Sequence, residues 1–179
     1  MAFGSWRGTV NPSGAPPFMV LGYRGEQRLI KAWEKKYKTA IFTSGTTTLD
    51  ALRALSVRRF VGATYFRGDI NRTYARYFAD AGFDVLGMAG MDVDFDKAQE
   101  LSSREVYRFI KRVFLANATA EAIYMLGPAC RTLDIVETLE QDIHAIPAQC
   151  WDIQRHLNVR QPVFGFGQLI AEMPSPPRA

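Results

Sequence analysis

Two cysteines and two histidines are all the thiol and imidazole chemistry that the 179 residues offer. Cys130 and Cys150 are too few for a disulfide framework, and neither stands at a zinc-ligand spacing from His144 or His156. No metal is expected, and a reducing compartment, the cytoplasm, is. No run approaches the ~18 apolar residues of a membrane span, and Met1 to Pro17 is too rich in Gly and Pro for the apolar core of a signal peptide. Gly45 lacks the following Gly-Lys-Thr of a nucleotide-binding Walker loop. Neither sign of charge dominates: 22 Lys and Arg stand against 18 Asp and Glu.

What is present describes a folded globular chain, 47% hydrophobic and 22% charged. The charge is uneven, with ten basic and three acidic residues up to position 60 and twelve and fifteen beyond it. Lys31, Lys35, Lys36 and Lys38 share one predicted helix with Leu29, Ile30 and Trp33, which reads as the solvated face of a packed helix. No nucleic-acid or membrane partner is expected on this pattern.

Residues 1–25 hold five glycines and three prolines without periodicity and read as an irregular N-terminal segment; residues 26–179 read as the α/β domain. Glu26 to Tyr37 carries apolar residues at helical spacing, Ala40-Ile41-Phe42 predicts a short buried strand, and the loop Thr43 to Thr48 leads into a helix through Leu55. Further strands are predicted at Arg59–Thr64, Asp84–Met88 and Ala122–Leu126. Helices are predicted at Asp69–Ala81, with Ile70, Tyr74, Tyr77 and Phe78 inward, after the capping box Ser102-Ser103-Arg104-Glu105, from about Arg131, and from Trp151 to Leu157. Alternating strands and helices make a parallel sheet with helices on both faces, and ligands of such sheets bind beyond the carboxyl ends of the strands. That points to loops 43–48, 65–69, 88–96 and 127–131.

In the first, hydroxyls and free N–H groups around Gly45 suit a carboxylate or phosphate, and equally an ordinary helix cap. Asp92-Val93-Asp94-Phe95-Asp96 fails as a calcium loop, since Lys97 takes the glycine position and Ser103 that of the bidentate glutamate. Asn71-Arg72-Thr73 and Asn117-Ala118-Thr119 match the glycosylation pattern by chance, and His144 and His156 read as surface or capping residues. Cys130, next to Arg131 at a predicted helix start, is placed where dipole and cation favour a thiolate; a lone cysteine near a strand end is more often a small apolar residue.

Several stretches in collinear order resemble the aspartate/glutamate racemase superfamily, in its branch of arylmalonate decarboxylases and maleate cis-trans isomerases. They are Gly22-Tyr23-Arg24-Gly25, the threonine loop at 43–48, Leu52 to Arg59, Ala63-Thr64-Tyr65 through Asn71, Ala81 to Val85, Arg131-Thr132-Leu133-Asp134, and Pro147 with Trp151-Asp152. The resemblance implies two pseudo-symmetric flavodoxin-like halves, the first looking truncated or replaced by Met1 to Ser13. It also implies proton chemistry α to a carboxylate, with no cofactor and with cysteine thiols as proton carriers.

The sequence departs from this pattern. The first-half thiol position falls near Gly14-Ala15-Pro16, the second-half cysteine aligns with Gly127 rather than Cys130, Phe66 replaces the usual tyrosine with Tyr65 beside it, and Asp142 to Pro147 is short for the strand there. The expectation is a decarboxylase-like lyase. Cys130 is its single proton donor and Tyr65 a further donor. Thr43, Ser44, Thr46 and Thr47 hold carboxylate oxygens, and Gly127, Pro128, Ala129 and Arg131 form an anion cradle for a small carboxylic acid. A racemase or cis-trans isomerase of small dicarboxylic acids and a non-catalytic carboxylate-binding member stand as alternatives. Trp151 and the sheet edge are expected to expose apolar surface and recruit a second copy.

Overall fold

The computed structural model describes residues 18–66, 68–126, 130, 132–133, 135–136, 138–139 and 142–176. Helices α1 (Tyr23–Tyr37) and α2 (Ser44–Ala54) precede β1 (Arg59–Thr64), α3 (Gly68–Asp80) and β2 (Asp84–Gly90). There follow α4 (Phe95–Glu100), α5 (Ser103–Leu115), β3 (Ala122–Leu126), β4 (Asp142–His144), α6 (Ala145–His156) and α7 (Gln168–Glu172). The four strands pair in parallel in the order β2-β1-β3-β4, the flavodoxin-like order.

Period-two alternation along the central strands divides the core in two. Phe60 of β1 and Ala122 and Tyr124 of β3 face a cluster built from α2, α3, α6 and α7, including Leu49, Leu52, Tyr74, Phe78 and Trp151. Val61 and Ala63 of β1 and Ile123 and Met125 of β3 face a second cluster with Val106, Ile110 and Val113 of α5. Helices thus cover both faces. The capping box that starts α5 forms as the sequence predicts: Ser102 N–H donates to Glu105 Oε2 at 2.9 Å while Glu105 N–H donates to Ser102 Oγ at 3.4 Å.

Several expectations are corrected. The N-terminal segment is not irregular throughout, because α1 already starts at Tyr23; residues 1–17 lie outside the described residues. Ala40-Ile41-Phe42 is no strand, and only Ile41 makes an isolated bridge. Ile70 points outward at 37% exposure, its inward place on α3 being taken by the buried Asn71. Past Cys130 the described residues make i→i−3 turns, with Ile135, Thr138 and Leu139 N–H donating to Thr132, Ile135 and Val136 carbonyls, rather than the predicted helix. The chain does make a strand, β4, in the stretch judged too short for one, and α6 begins six residues before the predicted Trp151. Trp151 exposes nothing: it is 1% accessible, and its indole N–H donates to the Pro174 carbonyl at 3.0 Å.

Candidate active site

The carboxyl ends of β1 and β3 meet at one rim of the sheet, and the chain leaves β1 through a pinned turn. Thr64 Oγ1 donates to Asn71 Oδ1 at 2.6 Å and accepts the Phe66 N–H at 3.1 Å, while Asn71 Nδ2 donates to the Phe66 carbonyl at 3.0 Å. From the neighbouring strand end, Met91 and Val93 N–H donate to the Thr64 and Tyr65 carbonyls at 2.9 and 3.3 Å. Gly90 is required here, since a Cβ on it would lie 2.0 Å from the Phe66 carbonyl oxygen and 2.6 Å from Asn71 Nδ2. The turn fixes the direction of Tyr65, whose ring stacks at a tilt on Phe66, 4.2 Å between centroids, and meets Phe95 edge-on at 6.1 Å.

Tyr65 and Cys130 come together in the cluster on the α5 face, 7% and 6% exposed. Burial pushes the Cys130 thiol up from its ordinary pKa, the reverse of the lowering expected from a helix start. Burial first, and then the adjacent Cys130, raise the Tyr65 phenol. Both groups are therefore protonated at neutral pH and stand as donors. Cys150 is exposed on α6, and both cysteines are free. Gly127, Pro128, Ala129 and Arg131 lie outside the described residues.

The threonine segment is differently employed. Because α2 starts at Ser44, the segment forms the first helical turn and its cap rather than a free loop. Thr43 Oγ1 accepts the Thr46 N–H at 3.1 Å and donates to Glu26 Oε1 at 2.6 Å, Thr46 Oγ1 accepts the Thr43 N–H at 2.8 Å, and Thr47 Oγ1 donates to Asp152 Oδ2 at 2.6 Å. Ser44 Oγ is buried with no partner among the described residues. Of the four hydroxyls assigned to carboxylate oxygens, three are committed within the protein.

Two buried acids were missed. Glu26 is inaccessible and accepts from Thr43 and from the Tyr77 hydroxyl; burial raises its pKa against those bonds. Its position in phase with Ile30, Trp33 and Tyr37 was the available signal. Asp152, 1% exposed, gathers Thr47, Arg155 and His156, with Arg155 Nη2 at 2.5 Å and His156 Nδ1 at 3.1 Å from Oδ1. Burial alone would raise its pKa, but bonds from His156 and Thr47 and the Arg155 charge hold it below the usual range. His156 is thus not a free surface residue: its ring stacks on Phe42 at 4.4 Å, and the bond to Asp152 raises its pKa. The i, i+3, i+4 spacing of Asp152, Arg155 and His156 was the available signal for one half of this group; only packing brings in Thr47, so that the group joins α2 to α6. Among the described residues no three His, Cys, Asp or Glu side chains gather as metal ligands, and no helix is long and apolar enough to cross a membrane.

The arylmalonate decarboxylase family matches residues 19–170. Among curated proteins none matches. The structure of unliganded arylmalonate decarboxylase superposes with a TM-score of 0.85 at 23% identity, over 92% of this chain and 74% of that one. Maleate cis-trans isomerase from Nocardia farcinica, bound to TRIS, gives 0.82 at 19% identity over 92% and 71%. The maleate isomerase Iso from Pseudomonas putida S16 gives 0.79 at 19% identity over the same shares, 92% and 71%. Identities this low establish a common fold.

Proposed function

The chain belongs to the arylmalonate decarboxylase family, and from that premise we propose that it is a cofactor-independent carbon-acid enzyme acting α to a carboxylate, a decarboxylase with a single thiol proton donor. The observation that carries this is the buried Cys130 thiol beside the Tyr65 phenol at the carboxyl rim of the parallel sheet. Loss of CO₂ from a 2-substituted malonate breaks a C–C bond and leaves its electron pair on the α-carbon as an enediolate. The Tyr65 O–H hydrogen-bonds the developing charge, the Cys130 S–H delivers its proton to carbon, and the thiolate regains a proton from water. A thiol kept neutral by burial suits delivery of one proton. A racemase or cis-trans isomerase begins with a thiolate, which burial disfavours.

The carboxylate-holding role is narrowed to Ser44, whose Oγ alone among the four hydroxyls has no partner among the described residues; Gly127, Pro128, Ala129 and Arg131 complete the proposed anion cradle. Two free thiols suit a reducing cytoplasm. A second reading, a non-catalytic carboxylate-binding member, is favoured by the 6% exposure of Cys130.

The test follows phenylmalonate and a panel of small 2-substituted carboxylic acids by proton NMR in D₂O. We expect a deuterated monocarboxylic product above a protein-free control, and Cys130→Ser, with an unchanged circular dichroism spectrum, to lose about 10²–10⁴-fold of that rate. Turnover surviving in Cys130→Ser would remove the thiol from the mechanism. A folded protein that deuterates no acid of the panel would leave the binding reading.

A further inference from the structure

The outward face of α1 and its C-cap carries Arg24, Arg28, Lys31, Lys35, Lys36 and Lys38, all exposed. The two acids of that helix are turned elsewhere, Glu26 into the core and Glu34 toward the Ile41 N–H at 3.2 Å. Where this face meets the second half of α3 it becomes concave. A cavity of about 450 Å³ opens there, with Arg24 and Arg28 from α1, and Arg76, Thr73 and Asp80 from α3, in its wall. Gly22 forms part of the same wall, and among the described residues nothing lies within 4 Å of where its Cβ would be, so the backbone there is open to a ligand.

Some arginines are paired with acids: Arg53 with Asp50 at 3.4 Å, Arg59 with Glu121 at 3.2 Å, and Arg155 with Asp50 at 2.8 Å. Those in the cavity are not. Arg24 and Arg28 have no ion-pair partner among the described residues, and Arg76 reaches Asp80 only at 3.9 Å, with side chains 85% and 47% exposed, a pairing worth little. Arg24 and Arg28 stand four residues apart on one helix, where like charges repel. Three guanidinium groups against one carboxylate leave the cavity with two uncompensated positive charges.

We propose that this cavity is a binding site for a phosphoryl dianion, inorganic phosphate or the phosphate group of a monoester. Its charge neutralises the excess, and three tetrahedrally splayed oxygens reach arginines that come from two helices. Guanidinium forks match such oxygens. The site is separate from Tyr65 and Cys130, which belong to the cluster on the other face of the sheet, and it does not rest on the proposed chemistry.

Calorimetric titration of the full chain with inorganic phosphate at constant ionic strength tests it. We expect saturable one-site binding, weakened about ten-fold by Arg24→Gln and by Arg28→Gln, and unchanged in Cys130→Ser. Binding is expected to weaken as pH falls through the second ionisation of inorganic phosphate and the dianion becomes a monoanion. These arginines are exposed, so folding of the variants is expected and is checked by circular dichroism. Non-saturating heats, or an affinity unchanged in the Arg24→Gln/Arg28→Gln double variant, overturn the site. Malonate binding as tightly as phosphate overturns the phosphoryl assignment.

Discussion

Replacing Asp152 by alanine removes the acid on which Thr47, Arg155 and His156 converge. Breaking a buried ion pair by deleting one partner costs about 3–5 kcal/mol, because the remaining charge stays desolvated. The Arg155 side chain is 33% exposed, so water recovers part of its lost pairing, and the lower end, about 3 kcal/mol, is the expected cost. For a chain of this size that lowers Tm by roughly 6–12 °C. The loss carries a pH signature. The Asp152 pKa is lowered in the fold, so its contribution is complete above its unfolded value near 3.9 and is lost as pH falls through the lower folded value. The His156 pKa is raised, so its contribution is complete below about 6.5 and is lost as pH rises through the higher folded value. Between about pH 4 and 6.5 both act together. Urea unfolding of the unmodified chain, Asp152→Ala and His156→Gln across pH 3–9 measures this. Asp152→Ala should flatten both limbs, and His156→Gln should remove the alkaline limb while leaving the part of the acid limb that Thr47 and Arg155 sustain. A cost under about 1 kcal/mol for Asp152→Ala, or an alkaline limb that persists in His156→Gln, would refute the reasoning.

Gly90→Ala places a methyl group against the Phe66 carbonyl and is expected to cost about 1–3 kcal/mol and, by displacing the Tyr65 turn, to slow decarboxylation in the same NMR assay; unchanged melting would show that the turn is not pinned there. Iodoacetamide at neutral pH should label the exposed Cys150 and spare Cys130, whose thiol is buried and protonated; mass-spectrometric mapping that finds Cys130 alkylated first would contradict the burial on which its proposed role as an acid depends.

The elements most legible in sequence were those whose signal is local. Arg59–Thr64 and Ala122–Leu126 are strands with the predicted bounds because short apolar runs between helices bury on both faces of a parallel sheet. The Ser102–Glu105 box fixes the start of α5 because both of its hydrogen bonds close within four residues. The collinear motifs led to the family for the same reason, being order and identity along the chain. What sequence could not decide is how polar groups are shared between distant segments. Thr47 and Asp152 are 105 residues apart, and only the packing of α2 on α6 makes the threonine a donor to a buried acid rather than a free hydroxyl for a carboxylate. Likewise, around the Cys130 thiol the chain neighbours, a helix start and an arginine, favour the thiolate, while the commoner reading of a lone cysteine is a small apolar residue. The pKa of Cys130 is instead set by the apolar cluster around Tyr65, Met125 and Ala98, because desolvation depends on what surrounds a group in space.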